Sequence, residues 1–154
     1  MLSLTLTVTA MAQEKNPSNI QQAIETKNFV FKAESVTPQR GRMRQLTPEY
    51  DVVLRPDTIT SFLPYFGRAF TASINSSEGG IKFTATNFDY TVSPKKKNRW
   101  EITIKPKDVN DVRELYLTVF DNGRATLQVS SNNRESISFN GFLQEGNPIA
   151  KKAF

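Results

Sequence analysis

Neither histidine nor cysteine occurs anywhere in these 154 residues. Histidine is the usual general base near neutral pH and the commonest metal ligand. Cysteine is the soft ligand and the ready nucleophile. Their absence excludes the usual zinc and iron sites, thiol catalysis and a Ser-His-Asp triad. It also excludes disulfide stapling and a lipidated cysteine anchor, so the core must hold the fold unaided. There is no Gly-rich phosphate loop and no dense acidic calcium loop. Asp51, Asp57, Asp89, Asp108 and Asp111 are scattered, and no spacing sets two carboxylates across a glycosidic bond. No cofactor, metal or catalytic residue is expected, and the chain reads as a non-enzyme. No apolar run approaches the roughly 20 residues that span a bilayer.

What is present begins with an uncharged stretch, Met1 to Ala12, ending in Ala10-Met11-Ala12. Small residues one and three positions before a cut are what signal peptidase requires. Charge begins directly afterwards at Glu14 and Lys15. The pattern predicts a signal peptide over residues 1–12, lacking its basic n-region, cleaved after Ala12. The expected address is periplasmic or secreted. The net charge of +5 is a mild bias that suits polyanions of a cell envelope; nucleic acid is not an expected partner.

Three segments follow. Residues 13–28 are a linker and a helix, because Asn16-Pro17 is a helix start and Ile20, Ala23 and Ile24 make a narrow apolar stripe. The helix is expected from Pro17 to Lys27. Residues 29–145 are a β-rich domain, and 146–154 a loose tail. Phe29, Phe31 and Ala33 alternate with Val30, Lys32 and Glu34, Tyr50, Val52 and Leu54 with Asp51, Val53 and Arg55, and Ile81, Phe83 and Ala85 with Lys82, Thr84 and Thr86. The phase then flips to Phe88, Tyr90 and Val92, with Asn87 as the expected turning point. Trp100, Ile102 and Ile104 form one face, as do Leu115, Leu117 and Val119, then Ala125, Leu127 and Val129, then Ile137, Phe139 and Leu143. Asp121-Asn122-Gly123 and the Pro94 to Asn98 segment are hairpin turns. The fold class is mainly β (α+β): an N-terminal helix and a curved antiparallel β-meander, sandwich-like or open-barrel-like.

Three clusters carry candidate chemistry. Arg40, Arg42 and Arg44 lie two apart, so an extended chain puts all three on one side, a fork suited to phosphate or carboxylate. Leu63-Pro64-Tyr65-Phe66-Gly67-Arg68-Ala69-Phe70 packs rings and a glycine into a tight reversal. Its rings either fill the core or line a groove for sugar or acyl chain. If Phe66 fills the core, truncation to Ala costs roughly 3–5 kcal/mol. Arg68 is placed to join the arginine loop. Lys95, Lys96, Lys97 and Arg99 form a third cluster, a solvated hairpin tip.

Several segments together resemble the exported bacterial family called domain of unknown function 4251, found in Bacteroides-like organisms. They are Phe29-Val30-Phe31-Lys32-Ala33-Glu34, Leu46-Thr47-Pro48-Glu49-Tyr50-Asp51, Leu63-Pro64-Tyr65-Phe66-Gly67-Arg68, Gly79-Gly80-Ile81-Lys82-Phe83, and Ser131 to Arg134 with Ile137 to Gly141. The resemblance runs from about Phe29 to Leu143. It implies a signal peptide, a helix before a β-rich fold and an envelope address, and supplies no activity. The expectation is an envelope protein binding an unknown ligand or protein, anionic by charge, through a sheet face or loop. The binding residues are Arg40, Arg42, Arg44, Tyr65, Phe66 and Arg68. The alternatives are a glycan-acting enzyme using carboxylates alone, and an assembly factor pairing through a sheet edge.

Overall fold

Among the described residues, the alternation of apolar and polar positions becomes ten antiparallel strands behind one helix. A computed structural model describes residues 17–66, 80–94 and 96–146. The expected signal peptide, the linker as far as Asn16, Gly67 to Phe70 with Arg68, Lys95, and the tail beyond Gly146 lie outside these residues. The elements are α1 (Pro17–Glu25), β1 (Phe29–Pro38), β2 (Arg44–Gln45), β3 (Asp51–Leu54), β4 (Ile59–Leu63), β5 (Ile81–Ala85), β6 (Phe88–Val92), β7 (Arg99–Pro106), β8 (Val112–Phe120), β9 (Arg124–Ser131) and β10 (Ile137–Glu145).

The sheet runs in the order β5-β4-β3-β1-β10-β9-β8-β7-β6, with β2 paired to β1. Two meanders, β1 to β5 and β6 to β10, are thus joined by one long β1–β10 ladder from Phe29↔Glu145 to Pro38↔Ile137. The two outermost strands, β5 and β6, are consecutive in sequence, separated only by Thr86 and Asn87. The covalent chain itself carries the sheet from one edge to the other and nearly closes it into a barrel. This is the physical origin of the phase flip: each half of the run pairs with a different neighbour, β5 with β4 and β6 with β7. Asp108 holds the corner, accepting from Thr86 N at 3.0 Å and Thr86 Oγ1 at 3.2 Å. Lys107 N donates to Asn87 O at 2.8 Å.

The inward faces fill the interior. Phe29, Phe31, Leu54, Ile59, Leu63, Ile81, Ile102, Leu115 and Phe139 are all buried, and Trp100 joins them. Register shifts between Ala33 and Ser35, and between Val112 and Glu114, mark two β-bulges. The first moves the inward set of β1 from Phe29, Phe31 and Ala33 to Val36 and Pro38. Bulges sharpen strand bending, which a closing sheet needs. Opposite the first bulge, Gly141 leaves no room for a side chain, since a Cβ there would stand 1.8 Å from Lys32 O.

Local chemistry departs from expectation in four places. The helix ends at Glu25 rather than Lys27. Lys27 takes φ 53°, and Lys27 N and Asn28 N reach back to Ile24 O and Ala23 O at 3.3 and 3.0 Å. That pair of bonds is a Schellman cap. β4 is an additional strand, and so is β2 within the arginine loop. In the Asp121-Asn122-Gly123 turn only Gly123 has positive φ, 86°, and Gly123 N bonds Phe120 O at 2.9 Å, giving a three-residue loop. The two-residue hairpin turn is Lys97-Asn98, at φ 50° and 62°, between Lys96 and Arg99, which exchange bonds of 3.2 and 3.1 Å.

The connections after β1, β4, β7 and β9 gather at one end of the barrel, the rim. At the other end α1 buries Ile20, Ala23 and Ile24. Tyr90 of β6 donates to Ile24 O at 2.8 Å, and Gly146 N, just past β10, donates to Asn28 O at 3.0 Å. Since β9, β8 and β7 separate β10 from β6, the helix and its cap lie across that end.

Candidate functional site

At the rim the sequence delivers four arginines on two loops. Arg40, Arg42 and Arg44 lie on the segment between β1 and β3, and Arg134 lies between β9 and β10. Gly41 turns the first loop at φ 151°, a conformation that L side chains rarely adopt. Arg44 and Gln45 then pair with Val36 and Ser35 as β2, so the loop folds back onto the β1 ladder.

Arg134 is the hub. Its side chain is only 13% exposed and ion-pairs with Asp111, in the β7–β8 connection. It also donates to Gly80 O, just before β5, at 3.3 Å. Its guanidinium stacks on the Tyr65 ring, just past β4, 4.5 Å from the centroid. One side chain therefore touches two other connections, one of them at both of its ends, and ties the rim across its opening. Tyr65 donates its hydroxyl to Glu135 O at 3.0 Å. Burial pushes this phenol above its ordinary value, and the charge of Arg134 opposes the shift. Tyr65 thus stays a proton donor through the neutral range. The Glu135 side chain is 7% exposed, and Arg40 approaches it at 3.7 Å.

The three loop arginines do not converge. Arg40 turns to Glu135. Arg44 stacks on the half-buried Phe66 ring, 4.6 Å from its centroid. Arg42 projects into solvent. Among the described residues neither Arg42 nor Arg44 meets a carboxylate within ion-pairing distance. Tyr65 and Phe66 serve as stacking surfaces for guanidiniums at the margin of the core rather than as its centre. Four arginines face two carboxylates here, Asp111 and Glu135, so positive charge is in excess. Stacking removes rotamer freedom from Arg44 while leaving its planar N–H edge free for oxygen anions.

Sequence reasoning did not mark Arg134, Asp111 or Glu135 as site residues. Arg134 stood alone in a polar turn, 69 residues from Tyr65, and one chain offers no signal linking the two. Elsewhere, a shallow groove of about 510 Å³ opens on the outer wall above the β1 bulge, beside Glu34, Leu46 and Phe142. On the same wall Phe62 stacks on Tyr50 at 5.5 Å and lies under Lys82 at 5.0 Å. Among the described residues no cluster of acids is arranged to hold a metal ion, and no helix is long and apolar enough to cross a membrane.

Comparison with known proteins gives the same picture of the fold. The family model described as a domain of unknown function (DUF4251) matches residues 11–143. The crystal structure of a DUF4251 family protein from Bacteroides eggerthii superposes with a TM-score of 0.63 at 17% identity, over 86% of this chain and 89% of that one. No curated protein matches.

Proposed function

The chain belongs to the family of domain of unknown function 4251, and from its own geometry we propose that it is a non-enzymatic, exported envelope protein whose rim binds an anionic ligand. One observation carries the reading. Arg42 and Arg44 stand exposed without acid partners among the described residues, next to Arg40, which is already committed to buried Glu135. Unpaired arginines on one short loop repel one another unless an anion sits among them. Their planar donors suit phosphate or carboxylate oxygens. Export rests on the uncharged run to Ala12, and would place the rim among the polyanions of the envelope.

The test leaves Arg40 in place, because its removal strands a buried carboxylate. In titrations with soluble polyphosphate, Arg42→Ala/Arg44→Ala should weaken binding at least tenfold. The parent's affinity should fall steeply between low salt and the ~0.15 M at which screening shortens to about 8 Å. A double variant that melts like the parent and binds polyphosphate equally well would overturn the proposal. N-terminal sequencing of native protein should begin at Gln13; a mature chain that keeps Met1 would end the export reading.

A further inference from the structure

The rim carries an apolar residue as well as a basic one-sided loop. Met43 sits between Arg42 and Arg44 and is 57% exposed, more than Phe120 at 40%, Phe62 at 38% or Val92 at 36%. Phe62 is stacked on the outer wall, while Val92 and Phe120 belong to the helix end. Met43 is therefore the rim's exposed large apolar side chain among the described residues. It stands at the far side of a glycine-turned loop, flanked on both sides by unpaired guanidiniums.

A core-filling role does not explain this placement, since the side chain faces water. Recognition of a small soluble anion does not explain it either, because such an anion offers nothing apolar to meet. A surface that presents phosphate oxygens in one layer and hydrocarbon immediately beneath it satisfies both residue types at once. Resting on the anion-binding reading of the rim, we propose that the loop from Gln39 to Arg44 docks the protein on an anionic bilayer surface. Arg42 and Arg44 meet headgroup phosphates, and Met43 enters the boundary between headgroups and acyl chains. The Arg44–Phe66 stack and the β2 pairing with β1 fix the loop's base, so the tip is presented without a large ordering cost. Long unbranched Met adapts to an irregular apolar surface. A single apolar residue with two or three arginines gives weak, reversible, salt-sensitive association rather than anchoring.

The full chain is sedimented with vesicles of phosphatidylglycerol and phosphatidylcholine, with vesicles of phosphatidylcholine alone, and titrated in parallel with soluble polyphosphate. The parent should bind the mixed vesicles and leave the neutral ones. Met43→Ser should lose about tenfold in vesicle partitioning, the lower end of what burying a large apolar side chain contributes, while keeping its polyphosphate affinity. Met43→Trp should shift its fluorescence to the blue on vesicle addition, against the constant signal of buried Trp100. Lys96→Ala/Lys97→Ala, at the other end of the barrel, should bind vesicles like the parent. Vesicle binding indifferent to Met43→Ser, or lost in the lysine variant, overturns the inference. Polyphosphate binding without vesicle binding also overturns it, and leaves the anion-binding reading standing. Failure to bind either probe removes both.

Discussion

The two ends of the barrel are closed by different physics. At the helix end Ile20, Ala23 and Ile24 bury an apolar stripe, and one tyrosine hydroxyl and one glycine N–H complete the seal. At the rim a partly buried arginine is spread over an aspartate, a backbone carbonyl and an aromatic face, and a buried glutamate takes a second arginine. Apolar packing is non-directional and contributes stability in proportion to area. Guanidinium contacts contribute less, since Coulomb attraction near the surface is offset by desolvation. They leave charge and donors at the protein's boundary. One end is sealed by apolar packing, and the other keeps charge at the surface.

That contrast can be tested in order of effect. Gly141→Ala strikes the wall that both ends share. The new methyl would meet Lys32 O and C, backbone atoms of β1 that cannot swing aside, so the variant should fail to reach a native-like melting transition. Ile24→Ala, at a site 1% exposed, should cost roughly 2–5 kcal/mol in denaturant unfolding. Phe66→Ala should cost only about 1–2 kcal/mol, because the ring is partly buried at the margin of the core rather than in its centre. If the two costs came out reversed, the division of labour between the ends would be wrong.

Polar closures should give smaller effects with a pH signature. Burial pushes the Tyr90 phenol well above its ordinary value of 10.0. Its stabilising contribution is therefore complete below about pH 10 and is lost as pH rises towards the folded value. Tyr90→Phe should cost about 1–3 kcal/mol by stranding Ile24 O, and should flatten the alkaline limb of stability. Asp108 shifts the other way. The Thr86 N–H bonded to its carboxylate holds it below its ordinary 3.8. The contribution is present above that pH and lost as pH falls through the lower folded value. Asp108→Asn should lower stability slightly at neutral pH, leave it nearly unchanged near pH 2, and so weaken the acid dependence, read from melting between pH 2 and pH 5.

The strands that were legible in sequence are those whose inward positions are all apolar, such as Trp100, Ile102 and Ile104 of β7. β4 was hidden because its middle inward residue is Ser61 and its outward one is Phe62, which inverts the expected pattern. The fold tolerates the inversion because Ser61 Oγ donates to Ile81 O at 2.9 Å and Tyr50 covers Phe62. β2 was hidden because both of its residues are exposed. The hairpin between Pro94 and Asn98 was legible from its turn residues, but its tightening to Lys97-Asn98 was not, because lysine is an unusual residue at positive φ. The arginine loop was legible as a basic, glycine-turned segment. Its division into Arg40 paired, Arg44 stacked and Arg42 free was not, because Glu135 and Phe66 come from distant parts of the chain.

The ladder between β1 and β10 has a kinetic consequence. β10 sits between β1 and β9, so a chain still lacking residues 137–145 holds two half-sheets with nothing between them. The pairing Phe29↔Glu145 spans almost the whole described chain, and contacts of such sequence separation form slowly because loop-closure entropy must be overcome first. Assembly therefore waits for the last strand, however early the others emerge during synthesis.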